Sequence, residues 1–310
     1  MRKNYSIVDQ KLVEARGDVG QVAVFVNPDD SEKKYLIEQL KLDEHTLLSA
    51  LDPDELSRVE FEPDHAALIF KSPKNYSAAE QFLFKVSSVG AFLFKDSLII
   101  VVSEDVPLFD HAAFTKVLSP AALVLRLISR SIIHFREHLK VISMISDELQ
   151  SEINRAMENK HLLNLFTLQK SLVYYVNAIN SNGALIDKLK NTAAKINLTS
   201  DEMEFLDDIL IENSQCFKQA DMYSNILASL MDARASIVSN NLNVLMKTLN
   251  IIMICLMLPT LVVSIFSMNV TLPMTNNEAS LSHPGWFWGI VGVASLSVLV
   301  VLLLWRYRKW

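Results

Sequence analysis

The side-chain pattern that most resembles a catalytic site in this 310-residue sequence is a pair of histidines with a glutamate between them. His134, Glu137 and His138 match the H-x-x-E-H spelling of an inverted zinc-protease motif, in which histidines hold the metal and the glutamate is the general base. The surrounding pattern is an amphipathic helix without a third ligand nearby, and so short a motif often arises by chance. We interpret it as part of a structural helix, and a zinc enzyme is the weakest alternative.

No other arrangement typical of enzymes stands out, since the sequence has no glycine-rich phosphate loop, no Ser/His/Asp set and no paired-carboxylate site. Cys216 and Cys255 are too far apart in sequence for a disulfide framework or a metal knuckle, which favours a reducing compartment. The net charge of −6 argues against a nucleic-acid partner, because phosphates require clustered Lys and Arg. We therefore expect no catalysis and no organic cofactor.

Two apolar runs near the C-terminus are the most prominent elements. Residues 249–266 and 287–305 contain no charged side chain, and each is about long enough to cross a hydrocarbon core. Pro259 lies inside the first run, where a membrane helix tolerates it. Aromatic residues begin and end the second run. The sequence predicts transmembrane helices at 249–269 and 286–305, joined by a loop at 270–285.

The charges around these runs predict their orientation. The loop between them carries Glu278 and His283 and no Lys or Arg, and the start of the chain lacks the apolar segment of a signal peptide. Because basic residues stay inside, both termini should be cytoplasmic, in a multi-pass protein of the cytoplasmic membrane. Two spans cannot enclose a water-filled path, so a channel would need several copies with cyclic symmetry. The flanking basic residues are Lys247, Arg306, Arg308 and Lys309.

The rest of the chain predicts an α+β fold: an N-terminal α/β cytoplasmic domain at 1–118, a long-helix stalk at 119–248, and a basic tail at 306–310 after the membrane helices. Ser119-Pro120 is a helix-start pair, and Ser200 would supply half of a capping box. No glycine or proline interrupts the helix that starts near Ser200 until Pro259. The predicted strands are 21–26, 58–62, 66–71, 82–88, 91–94 and 97–103, and the predicted helices are 31–40, 43–51, 120–162, 165–190 and 200–266.

Residues 239–270, SNNLNVLMKTLNIIMICLMLPTLVVSIFSMNV, resemble the signature of the CorA magnesium-transporter family. The shared features are an Asn-rich helical turn, Met-Lys, an apolar span with a proline in the middle, and a closing aromatic-x-Met-Asn. The resemblance extends to the whole plan of the chain. It implies a funnel-shaped homo-oligomer, a pentamer, that lies in the lipid bilayer and passes divalent cations, Mg²⁺ first and Co²⁺ as a further candidate.

By this resemblance, Ser267, Met268 and Asn269 form the selectivity filter. The family's Gly-Met-Asn reads Ser-Met-Asn here, so the amide oxygen that suits a hard, hydrated cation is kept while the glycine's backbone freedom is lost. Spacing back from Asn269 gives side chains that would line the path, with Leu249 and the methionines as an apolar gate. Ordinary helix packing is the alternative for these positions. The set is Asn243, Met246, Leu249, Met253, Met257, Thr260 and Ser264.

The resemblance also assigns charged residues. Lys247, Arg306, Arg308 and Lys309 look like the family's basic collar around the cytoplasmic end of the pore, although membrane anchoring accounts for them equally well. Asp208 and Asp232 match stalk acids that bind regulatory Mg²⁺. The facing acidic pair of the family falls at Leu48 and Ser49, with Asp52 and Asp54 a few residues later. Either the sensor has moved or this chain lacks it.

Two alternatives remain beside the magnesium channel. One is a zinc transporter like the related ZntB group, whose filter also departs from Gly-Met-Asn. The other is a non-conducting membrane scaffold or sensor with the same architecture.

Overall fold

The computed structural model describes residues 1–15, 20–76, 82–105, 108–109, 114, 117–155, 159–267 and 284–308. The chain divides into two compact units, Met1–Met231 and Asp232–Trp310. The strands are β1 (Arg2–Val8), β2 (Lys11–Glu14), β3 (Val22–Val26), β4 (Arg58–Phe61), β5 (His65–Pro73), β6 (Val86–Phe94) and β7 (Leu98–Val102). The helices are α1 (Asp30–Glu38), α2 (Glu44–Leu51), α3 (Pro120–Arg155), α4 (Asn159–Asn191), α5 (Ser200–Phe266) and α6 (Pro284–Arg308), with a 3-10 turn at Ala193–Lys195.

Among the described residues the strands form one sheet in the order β2-β1-β3-β7-β6-β5-β4. The β3–β7 pair is parallel and the other pairs are antiparallel. Both faces of β7 are buried: Ile99 and Val101 pack in the core that includes α1 and α2, while Leu98 and Ile100 join the core that includes α3, α4 and α5. A strand covered on both sides reads as a continuous apolar run, which is the pattern that predicted it.

Gly90 sits in the middle of β6, where helix α2 comes closest to the sheet. A Cβ atom built on Gly90 would lie 2.5 Å from the Cβ of Ala50. Only glycine permits this approach of helix and sheet.

The predicted combination of an α/β sheet with long helices is confirmed in the first unit, while the number and bounds of several elements differ from the prediction. Strands β1 and β2 were not predicted, because their polar, partly exposed side chains lack the apolar runs of the inner strands. The predicted strands 82–88 and 91–94 are one strand, β6, since Gly90 continues the ladder opposite Ile69 and Val101. The helix predicted for 120–162 is wrong, because α3 ends at Arg155 and α4 already begins at Asn159.

The starts of α3 and α5 are joined by one carboxylate. Ser119 Oγ accepts a hydrogen bond from the Ala122 N–H at 2.9 Å, the cap expected for α3. The capping box of α5 is complete, but it starts at Thr199 instead of Ser200: Glu202 N–H donates to Thr199 Oγ1 at 3.3 Å and Thr199 N–H donates to Glu202 Oε2 at 2.8 Å. Ser119 Oγ also donates to Glu202 Oε1 at 2.6 Å.

The second unit contains two helical stretches long and apolar enough to cross a membrane, one at the end of α5 and one at residues 287–307 of α6, each with a mean hydropathy of 2.5 over 18 residues. Neither stretch is buried within the chain. Water therefore cannot be the medium that covers them at low free-energy cost.

A buried asparagine fastens the open edge of the sheet to the helices. Asn182 of α4 is fully buried, and its Oδ1 accepts the backbone N–H of Lys71 at 2.7 Å while its Nδ2 donates to the Lys71 carbonyl at 2.9 Å. Ser57 Oγ donates to the same Oδ1, and Ser131 Oγ of α3 donates to the Lys71 carbonyl. The amide thus replaces the strand partner that β5 lacks beyond the start of β4.

Asn182→Ala should destabilise the first unit by about 2–4 kcal/mol, because the Lys71 N–H and the Ser57 hydroxyl each lose a buried partner. The measurement is chemical unfolding of the full chain in detergent. Asn180→Ala is the matched control, since Asn180 is exposed on the same helix. Equal stability of the two variants would contradict the role of this amide.

His138 is a second buried polar group. Its Nδ1 lies 2.7 Å from the Tyr175 hydroxyl, and its ring contacts those of His134 and Phe84. Burial lowers the pKa of His138 to about 4, with the neighbouring His134 as a smaller cause. The folded protein therefore holds this ring neutral, and the unfolded chain, with a pKa near 6.5, binds the proton first.

Stability should be full above pH 6.5 and should fall as the pH drops from 6.5 towards 4, by roughly 3 kcal/mol from His138 alone. Thermal unfolding of the wild type and of His138→Gln across this range is the measurement. Stability of the variant should fall less steeply with decreasing pH, because it lacks His138. Some pH dependence should persist, because His65 and His134 remain in both proteins. Identical slopes would exclude His138 as a source of the acid sensitivity.

Candidate functional site

The seven predicted path residues lie along one face of α5. All are exposed within the single chain, including Met246, Leu249, Met253 and Met257 at 55–62%. At 100° per residue, the positions from Asn243 to Ser264 fall within an arc of about 120° of an ideal helix. No chemical group of the described chain covers this face, so it is free to meet another molecule.

The opposite face of α5 looks towards α6. Thr248, Ile251, Ile252, Cys255 and Leu256 line an apolar cavity of about 290 Å³ together with Val298, Leu302 and Trp305 of α6. This set is centred roughly 150° around the helix from the predicted path face. Helix α6 therefore backs α5 on one side and leaves the predicted path side exposed.

Two hydroxyl groups of this part of α5 donate to the backbone of the same helix. Thr260 Oγ1 donates to the Leu256 carbonyl at 2.7 Å, and Ser267 Oγ donates to the Val263 carbonyl at 2.6 Å. With the proton committed to the helix, each hydroxyl oxygen keeps lone pairs that can accept from water around a cation. Pro259 removes one helical donor in the same stretch, opposite the Cys255 carbonyl.

Ser267 closes α5. Its N–H donates to the carbonyls of Val263 at 3.1 Å and Ser264 at 3.2 Å, and its φ is not positive. This position therefore does not use the conformational freedom that glycine would provide. The predicted filter residues Met268 and Asn269 lie outside the described residues.

The predicted basic collar is partly described. Lys247 and Arg306 are exposed. In the sequence, Lys247 precedes Thr248 and Arg306 follows Trp305, two residues that line the α5–α6 cavity. The Arg308 side chain and Lys309 lie outside the described residues.

The two predicted regulatory acids belong to different units. Asp208 is exposed, while its neighbour Asp207 pairs with Lys190 at 2.9 Å. Asp232 is also exposed. In the described part of the chain, no group of three or more His, Cys, Asp or Glu residues could hold a metal ion.

The residues of the H-x-x-E-H pattern have other partners. His138 bonds to Tyr175, the rings of His134 and His138 contact at 4.4 Å, and Glu137 pairs with Arg130 at 3.4 Å. The two histidines and the glutamate thus serve packing and surface charge in α3.

Sequence reasoning missed two features. One is the α6-facing side of α5, which is mostly apolar, as the path side is, and so gave no signal of its own. The other is Lys71, a cation only 4% exposed in the middle of the sheet domain. Its position in the apolar run AALIFKS was the available signal, because a lysine in a buried strand is rare.

The structure and sequence are similar to those of known proteins. The chain is 23% identical over 326 residues to the cobalt/magnesium transport protein CorA of Methanocaldococcus jannaschii, covering 99% of this chain and 97% of that protein. The complete structure of the CorA magnesium transporter from that organism matches with a TM-score of 0.80 and 20% identity, covering 98% of this chain and 96% of that one.

A more distant match is the ZntB cytoplasmic domain from Vibrio parahaemolyticus, with a TM-score of 0.61 and 13% identity over 77% of this chain and 98% of that domain. At these identities the solved structures establish the fold alone: a sheet domain, a long helix and two apolar C-terminal helices. The family model described as CorA-like Mg2+ transporter protein matches residues 23–308. Because that match spans nearly the whole sequence, the chain belongs to the CorA-like Mg²⁺ transporter family.

Proposed function

We propose that this chain is a subunit of a membrane channel that lets divalent cations, Mg²⁺ first, enter the cytoplasm down their electrochemical gradient. The observation that carries the proposal is the uncharged, exposed face of α5 opposite the α6 side. An inside-negative potential of about 100 mV supplies roughly 2.3 kcal/mol per elementary charge, and therefore about twice that energy for each divalent ion. No chemical fuel is required.

The subunits would assemble as a homopentamer, in a funnel shape, with α5 of each copy around the central path. The path face of each α5 would then line the central path and contact α5 of the neighbouring copies. Helix α6 would lie between α5 and the lipid bilayer. Both termini would be cytoplasmic, and Lys247, Arg306, Arg308 and Lys309 would surround the inner end of the path.

Ion selection would take place at the outer end of α5. A ring of Asn269 amides offers neutral oxygens, which suit an ion that keeps most of its water. Thr260 and Ser264 would continue the path with hydroxyl oxygens, and Met246, Leu249, Met253 and Met257 would form a narrow apolar segment that closes by losing water. Asn243 would face the cytoplasmic mouth.

Regulation by Mg²⁺ would use Asp208 and Asp232 between copies, since the described part of one chain holds no cluster of ligands. Occupied sites would link neighbouring subunits and hold the path closed, and loss of the ion would release them.

Zinc remains the rival cargo. The similarity to a ZntB cytoplasmic domain favours it to a lesser degree, because the match is to that domain alone and has a lower TM-score than the match to CorA. A non-conducting scaffold or sensor is the rival of another class.

Purified full-length protein in proteoliposomes with an inside-negative potential should take up Mg²⁺, and Asn269→Ala should lower the initial rate about tenfold through loss of the amide ring. Asn276→Ala, in the predicted outer loop that follows Asn269, is the control and should keep the wild-type rate. Uptake of none of Mg²⁺, Co²⁺, Ni²⁺ or Zn²⁺ by a folded oligomer would favour the scaffold. Stronger inhibition of Mg²⁺ uptake by Zn²⁺ than of Zn²⁺ uptake by Mg²⁺ would favour the zinc transporter.

Leu249→Ser should raise Mg²⁺ uptake several-fold at low driving force, because a smaller hydroxyl-bearing ring holds water where leucine expels it. Ile251→Ser introduces the same hydroxyl on the α6-facing side of the helix and should leave the rate near that of the wild type. If both variants conduct alike, the assignment of the gate to the Leu249 face is wrong.

A further inference from the structure

A second cavity lies in the first unit, far from the apolar helices in sequence. It has a volume of about 290 Å³ and opens where β5 ends and β6 begins, beside α4 and the loop after α2. Its walls carry three lysines from the strand ends and three polar side chains from α4. These are Lys71, Lys74, Lys85, Tyr174, Asn177 and Ser181. We call it the lysine pocket.

Backbone pairing keeps two of the lysines together. The Lys74 N–H donates to the Lys85 carbonyl at 2.9 Å, one step beyond the β5–β6 ladder, which ends at Pro73 and Val86. Residues opposite each other in an antiparallel pair have neighbouring side chains. Lys74 also pairs with Glu104, and Lys85 is exposed at the rim.

Lys71 is the unusual member of the pocket. Its side chain is buried, and its Nζ donates to the Pro53 carbonyl and to Ser88 Oγ, both at 2.8 Å. Both acceptors are neutral, and among the described residues no carboxylate lies within ion-pair distance of this ammonium. An ammonium has three N–H donors, so one of them has no acceptor among the residues that the structure describes. A buried cation without a charged partner is costly.

Burial lowers the pKa of Lys71, and the nearby carboxylates of Asp52, Asp54 and Glu55 offset this only in part. An anion in the pocket would supply the missing countercharge. It would also find hydroxyl and amide donors on α4, since Tyr174 and Asn177 are exposed there. Lysine ammonium groups with hydroxyl and amide donors are the usual partners of phosphate oxygens.

We propose that the lysine pocket binds a phosphate group, either as free phosphate or as part of a small phosphorylated metabolite. The cavity volume is close to the lower end of the range for small-molecule sites, which fits a ligand of this size. A bound phosphate would connect the sheet edge, the loop after α2 and α4. The proposal concerns a site separate from the ion path and does not rest on the transport function.

The test uses the full chain in detergent, with inorganic phosphate and pyrophosphate as probes, followed by calorimetric titration and thermal unfolding. Phosphate should bind and raise the unfolding temperature, while sodium chloride at matched ionic strength should not. Lys71→Gln and Lys85→Gln should each weaken binding about tenfold, since each removes a charged donor. Lys34→Gln, on the exposed surface of α1, should bind like the wild type.

Asp54→Asn distinguishes phosphate binding in the pocket from a purely structural role of its residues, because structural damage would not tighten binding. Asp54 lies on the pocket wall, and removing its negative charge should tighten phosphate binding about threefold. If Lys71→Gln fails to fold, Lys85→Gln and Asp54→Asn decide the question. Chloride that stabilises as well as phosphate, or lysine variants that bind like the wild type, would overturn the proposal. Tighter binding of pyrophosphate would indicate a phosphorylated metabolite, and equal binding would indicate free phosphate.

Discussion

The need to cover apolar side chains on every side of a long helix governs this molecule. The last part of α5 carries leucine, isoleucine and methionine on every side, and α6 covers one side only. In a bilayer the backbone of such a segment must satisfy its polar groups internally, so the helix cannot unwind to hide its side chains. In the proposed channel, lipid would meet one side of the helix and other copies of the chain would meet the other. Membrane insertion and assembly would then both follow from the same need to cover apolar side chains.

The sheet unit solves a different problem, which is to hold helices against an edge with unpaired backbone groups. Asn182 supplies that pairing to Lys71, and Ser131 adds a bond from a second helix. At the start of α3, the Glu202 carboxylate binds both Thr199 and Ser119. The long helix therefore starts from a point that is tied to α3 by a hydrogen bond, while Asn182 and Ser131 tie α4 and α3 to the sheet.

The sequence was most informative where one physical effect dominates. Two uncharged runs predicted the apolar helices because side-chain transfer to lipid outweighs every local preference, and the inner strands followed from continuous burial. Local polar chemistry was less predictable. The capping box was placed one residue late because Thr199 and Ser200 are both plausible caps, and β1 and β2 have no apolar run to mark them.

The candidate site was predictable in its spacing and not in its surroundings. The family resemblance singled out the residues from Asn243 to Ser264, and their helical spacing puts them on one face of α5, yet nothing in a largely apolar helix indicated which side α6 would occupy. In the H-x-x-E-H pattern, the spacing of the residues was misleading about their role. Its letters suggested zinc chemistry, and packing against Tyr175 gives His138 a structural part that only the fold could reveal.

The exposed face of α5 also differs from the sheet unit in how it responds to acid. Its side chains are one amide, three thioethers, two hydroxyls and one leucine, and none of them gains or loses a proton in the physiological range. Whatever a change in proton concentration does to the folding of the first unit through His138, the electrical character of this face stays constant.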